Sequence, residues 1–267
     1  SNNSGEISAS DDFVFYLTNT LINSGSLSSL KNLTINSNSN LTNSGQILTD
    51  GTLSIIAANL SNSNLIQSNG DLSLNLVNLT NSNNIISGGN FNITASQNIS
   101  NQGSLESANS FNINANNLSN SVNSLIIAEN NLNIRAATIS NQNSKPSTSI
   151  ITSGIVSKNG AVNLVTDTLN NNSGLIAGKS TNVTALNAAS VSLYNTLGAF
   201  VSTASISLNL GTLDYTITGT VTASNINITA NNIINQGNVT AADFIILNAT
   251  GDSGSGNGNI TNGFAVG

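Results

Sequence analysis

The chain has 267 residues, of which only 6% are charged, and five basic against eleven acidic side chains give a net charge of −6. Soluble domains usually carry about 25% charged residues, and so few cations leave no basic stripe to neutralise phosphates, which excludes nucleic acid as a partner. Cysteine and histidine are absent, which excludes disulfides, thiol or imidazole catalysis and the zinc and copper ligand sets built on them, and no cofactor is expected.

From the amino terminus onward a Leu or Ile recurs at a nearly constant interval, with units opening at residues 1, 21, 41, 60, 79, 99, 118, 139, 169, 191, 213 and 233. Within a unit, apolar residues hold the first, seventh, thirteenth and fifteenth places, and usually the seventeenth. They are Leu41, Ile47, Leu53, Ile55 and Ala57 in one unit and Leu79, Ile85, Phe91, Ile93 and Ala95 in another. The stretch from Phe91 to Ala95 alternates apolar with polar residues, the period of a strand buried on one face. A period of about twenty residues with two or three such strands predicts an all-β chain, a parallel β-solenoid of roughly 12 coils. At about 4.8 Å per coil it would span roughly 58 Å. The whole chain reads as one segment, with regular coils over 1–141, irregular coils with an insertion over 142–222, and regular coils again over 223–267.

Two files of residues recur along these units. The fifth place holds Gly5, Gly25, Gly45, Asn64, Asn83, Gly103, Asn143 and Gly237, residue types that predict one sharp turn of positive φ per coil. Two places earlier stand Asn3, Asn23, Asn43, Asn62, Asn81, Asn101, Asn120, Asn141, Asn171 and Asn235. Stacked coil on coil, their amides either bond along the axis as a ladder or each close their own turn.

Three stretches depart from the repeat. After Asn141 the segment "NSKPSTSI", with Lys145 and the only proline, Pro146, lengthens its unit into a loop. In the units opening at 191 and 213 the ladder place falls on Leu193 and Tyr215. Tyr194, Phe200 and Tyr215 gather there, and with Lys145 they form a candidate binding patch, set against plain variation in core packing. Further on, "GDSGSGNGN" is a polar insertion before Ile260 resumes the pattern.

Convergent acid–base chemistry is not legible. Glu6, Asp50, Asp71 and Glu106 fall at the sixth, tenth, twelfth and eighth places of their units, so carboxylates of neighbouring coils do not align. Asp11, Asp12 and Asp214 read as solvated turn residues, and no catalytic or metal-binding residue is predicted. Asn-x-Ser/Thr triplets, as at Asn78, Asn92 and Asn98, follow from the composition and become sugar acceptors only in an exported chain.

The units "LTNSGQILTDGTLSIIA", "ISNQGSLESANSFNINA" and "IINQGNVTAADFIILNATG" resemble the repeats of filamentous haemagglutinin-type exoproteins, as does the stretch over 213–241. The resemblance implies a right-handed parallel β-helix and export of an unfolded chain through an outer-membrane transporter by two-partner secretion. It also implies a place outside a Gram-negative cell, secreted or on the surface, as adhesin or as stalk of a contact-dependent inhibition toxin. The expected function is a shaft serving adhesion, a virulence trait, or display of a distal effector, with host-cell or bacterial surface glycans or proteins as partners. On this reading the segment is part of a longer chain and spans no membrane. A carbohydrate-active β-helix enzyme is the alternative, and an ice-binding solenoid a weaker one, since Thr216, Thr218, Thr220 and Thr222 do not recur coil after coil.

Overall fold

The computed structural model describes residues 4–142, 151–251 and 258–262. Each coil contributes short parallel strands to three files. The first file begins with Glu6–Ala9, Ser26–Ser29 and Gln46–Thr49. The second begins with Phe13–Leu17 and Leu33–Ser37, the third with Leu21–Asn23 and Leu41–Asn43. From Leu53–Asn62 through Leu132–Asn141 the second and third files fuse into single bent strands, and from Leu175–Thr184 onward the first and second files do. All pairings are parallel and join equivalent places one coil apart, so that Leu53, Leu72, Phe91, Phe111, Leu132 and Val162 stack in one column. The chain is an all-β solenoid of about 12 turns.

Alternation decides the inside. In Leu33–Ser37 and Phe91–Ala95 every second side chain is buried, and the columns fuse into one apolar core running along the axis. Phe91 and Phe111 stack at 4.3 Å between ring centroids, 8° from coplanar. Each fully buried aliphatic or aromatic side chain contributes roughly 1.5–3 kcal/mol to stacking. No helix among the described residues is long and apolar enough to cross a membrane.

Corners bring backbone carbonyls inside, where each needs a donor. Between the first and second files a row of inward hydroxyls provides it. Ser29 donates to the Asp11 carbonyl at 2.6 Å, Ser87 to Gly70 at 3.1 Å, Ser107 to Gly89 at 2.9 Å, and Thr49 to Lys31.

The fifth-place turn differs from expectation. Among the described residues the non-glycine positions of positive φ are Ser4, Asn123, Ser173 and Leu197, and the glycines are Gly154, Gly211 and Gly251. Neither Gly25 nor Gly45 lies in the left-handed region, and neither do Asn64, Asn83, Gly103 or Gly237. Their place is governed instead by contact along the axis: a Cβ on Gly25 would lie 1.9 Å from the Gly5 carbonyl oxygen, and one on Gly45 2.0 Å from that of Gly25. Asn64 and Asn83 stand in the same file and donate their amides to the Ser44 and Ser63 carbonyls of the coil before. Asn3, Asn143, Lys145 and Pro146 lie outside the described residues.

The phase of the late coils is also corrected. Leu193 pairs with Leu169, and Tyr215 with Ile233, so both hold the first place of their coils rather than the ladder place. The corner after Thr184 carries additional residues, which moves the count by two. In the third file, Tyr215–Ile217, Ile233–Asn235 and Ile260–Asn262 form a separate three-stranded sheet that does not pair with Ser192–Tyr194.

Candidate functional site

The asparagine file is a continuous buried ladder. Each side-chain Nδ2 donates to Oδ1 of the asparagine in the next coil: Asn23 to Asn43, Asn43 to Asn62, Asn62 to Asn81, Asn81 to Asn101, Asn101 to Asn120, Asn120 to Asn141, Asn141 to Asn171 and Asn171 to Asn195, all at 2.8–2.9 Å. The same amides close the corner between the third and first files. Asn43, for example, donates also to the carbonyls of Gly45 at 3.1 Å and Leu65 at 3.1 Å. One residue type therefore does both things because its amide has donors and an acceptor on opposite sides. Asn195 belongs to this file and was missed by the unit count, which placed Leu193 there. Asn235, in the separate sheet, accepts the backbone N–H of Gly237 at 3.1 Å.

The ladder stops at Asn195, whose buried Nδ2 has no acceptor. In the next coil the equivalent place, two residues after the first-place Tyr215 as Asn195 is two after Leu193, is Ile217, wholly buried. Ile217→Asn is expected to supply the missing Oδ1 and to change unfolding stability by less than about 1 kcal/mol. Ile228→Asn, in the apolar second file, should cost about 3–5 kcal/mol. Chemical denaturation of the two variants checks this, and equal losses would refute it.

The aromatic patch does not assemble. Phe200 is 0% and Tyr215 1% exposed, both in the core, whereas Tyr194 is 54% exposed. Phe200 takes the inward place of the first file, paired with Ile176, and Tyr215 the inward first place of the third. Burial drives the Tyr215 hydroxyl far above the ordinary phenol range, and its oxygen has no hydrogen-bond partner. Tyr194 borders a shallow groove with Ser192, Leu193, Leu213 and Asp214.

Carboxylates hold turns. Asp12 Oδ1 accepts the backbone N–H of Asn32 at 3.1 Å, Asp71 that of Asn90 at 2.7 Å, and Asp214 that of Asn232 at 3.1 Å. Asp11 pairs with Lys31 at 2.8 Å, and Glu129 with Lys158 at 2.9 Å. Asp167 accepts the backbone N–H groups of Ala188, Asn187 and Leu186 at 3.0, 2.8 and 3.0 Å, clamping the long corner. Those N–H groups, led by that of Ala188, hold its pKa below the ordinary 3.8. A lowered folded-state pKa means that this clamp is fully present above the ordinary value and is lost as pH falls below it. The amides of Leu186, Asn187 and Ala188 should therefore gain hydrogen exchange in acid ahead of the coil core, after correction for intrinsic rates. In Asp167→Asn that acid step should vanish.

Two further amide ladders lie on the outside, and neither was legible as such. Along the corner between the second and third files, Asn59 donates to Asn40, Asn78 to Asn59, Asn98 to Asn78 and Asn117 to Asn98, at 2.7–3.0 Å. These are sequon asparagines: a corner Asn, then an inward Leu or Ile, then an outward Ser or Thr, so that triplet repeats with the coil. On the outer face of the second file, Asn112 donates to Asn92, Asn133 to Asn112, Asn163 to Asn133 and Asn182 to Asn163, at 2.8–2.9 Å. Both run opposite to the buried ladder. At the corner the reason is local, because Asn78 Oδ1 also accepts the Asn98 backbone N–H and so must face the next coil. The outer-face ladder borders a trough of about 330 Å³ beside Arg135. Comparison of the chain with known protein families, with curated proteins and with solved structures finds no match.

Proposed function

We propose that this chain is a structural and interaction segment: the shaft of a secreted or surface-exposed bacterial exoprotein of the filamentous haemagglutinin type, serving cell adhesion or display of a distal effector. The observation that carries this is the use of polar chemistry for stacking and turns. The buried amides bond coil to coil from Asn23 to Asn195, and Asp12, Asp71, Asp167 and Asp214 clamp corners. On this reading the segment catalyses nothing itself. A chain without cysteine, whose strands pair with those one coil away, suits passage through an outer-membrane transporter and folding coil upon coil as it emerges. Host-cell or bacterial surface glycans or proteins are then its partners.

Antibodies raised against the chain should label intact, unpermeabilised cells that make it. Labelling that requires permeabilisation would overturn the proposal. Saturable binding of the purified chain to host or bacterial cells then assigns it to adhesion, and its absence to display.

A further inference from the structure

Charge is distributed unevenly over the solenoid. On the second file, the outward positions from Val14 and Tyr16 to Asn227 and Thr229 hold no Asp or Glu, and Arg135 is their single charged side chain. The acids instead occupy corners or, as with Glu106, the first file. The outward places of the second file thus form a long carboxylate-free face on an acidic chain.

That face also has an ordered supply of hydrogen bonds. In the outer ladder Asn112, Asn133 and Asn163 each spend one N–H and accept one bond within the ladder. The second N–H and the second lone pair of every amide remain for a ligand. They recur at the coil spacing of about 4.8 Å, close to the advance of one pyranose unit in an extended β-linked chain. Arg135 borders the same trough and has no ion pair among the described residues, so its planar donors are open to hydroxyls.

We propose that the outer face of the second file, centred on Asn112, Asn133, Asn163 and Arg135, is a docking surface for a neutral, extended, β-linked polysaccharide lying along the solenoid axis. A ladder already bonded along the axis loses little side-chain freedom when a ligand docks. The absence of carboxylates removes competition for ligand hydroxyls, and an uncharged partner meets no unfavourable field. The inference names a ligand class for the adhesion reading and rests on that reading for its biological setting.

The test is depletion of the purified chain from solution by microcrystalline cellulose and by chitin, at low and at molar salt. A saturable isotherm insensitive to salt is expected. The double variant Asn112→Asp with Asn163→Asp, verified as folded by circular dichroism and its unfolding midpoint, should bind at least about tenfold more weakly, the equivalent of two modest hydrogen bonds. Ser28→Asp, on the first file, should bind as the parent does. No depletion by either polymer, an undiminished double variant, or binding that disappears at molar salt would each overturn the proposal. Cell-surface labelling does not depend on the isotherm, so loss of polysaccharide binding with labelling intact removes this inference and leaves the shaft reading standing.

Discussion

Asn101→Leu is expected to destabilise the chain by about 3–6 kcal/mol, with an unfolding midpoint lower by on the order of 10 °C. The side chain sits in the middle of the buried ladder. It accepts from Asn81 at 2.9 Å and donates to Asn120 at 2.8 Å, to the Gly103 carbonyl at 3.1 Å and to the Leu125 carbonyl at 3.0 Å. Leucine fits the volume but removes both functions at once, leaving two or three buried groups unpaired at about 1–3 kcal/mol each. Asn112→Leu, on the exposed ladder, should change stability by less than about 0.5 kcal/mol, because water replaces what is lost. Thermal and denaturant unfolding of the pair separates the two ladders. Similar midpoints would mean that the buried amides are solvated and that the ladder does not hold the coils together.

Removal of one whole coil is expected to be tolerated, and removal of half a coil to be ruinous. Excising residues 60–78 leaves Asn59 followed by Leu79, which restores the Asn–Leu step that recurs at each regular coil. Leu53 then stacks beneath Phe91, and Asn43 faces Asn81, with inward and outward places unchanged. Solenoid stability is close to a sum over repeats and their interfaces, so the shortened chain should unfold within about 2 kcal/mol of the parent. Excising residues 60–69 joins Asn59 to Gly70 instead. That displaces every later column relative to those before it, breaking the ladder at Asn62 and forcing inward leucines against corners. A cooperative transition should survive in the first deletion and be lost or split in the second. Equal behaviour of the two would refute the column-by-column account of stability.

The period, the strand type, the inward columns and the asparagine file from Asn23 as far as Asn171 were legible because each depends on local alternation and on a spacing that repeats. A strand period of two and a coil of nearly constant length leave few arrangements in which Leu53, Leu72 and Phe91 are all inside. The regular glycines were legible as a file but not in their cause. Sequence preference pointed to positive φ, while the structure places the carbonyl of Gly5 where a Cβ of Gly25 would be. Close approach between coils depends on contacts about twenty residues apart, which composition at one position does not reveal.

The late coils show the other limit. Extra residues at the corner before Leu193 shifted the count, so Asn195 went unrecognised, and Phe200 and Tyr215, conspicuous as aromatics, turned out to be core. The sequence alone determined that this chain stacks coils through apolar columns and carries an asparagine at one fixed place of the coil, because those follow from short-range alternation and a fixed repeat. Only the tertiary structure decided which side of each polar residue meets its neighbour. That choice makes Asn101 a buried structural bond and Asn112 part of an open, carboxylate-free face, since the direction of an amide is set by partners a whole coil away.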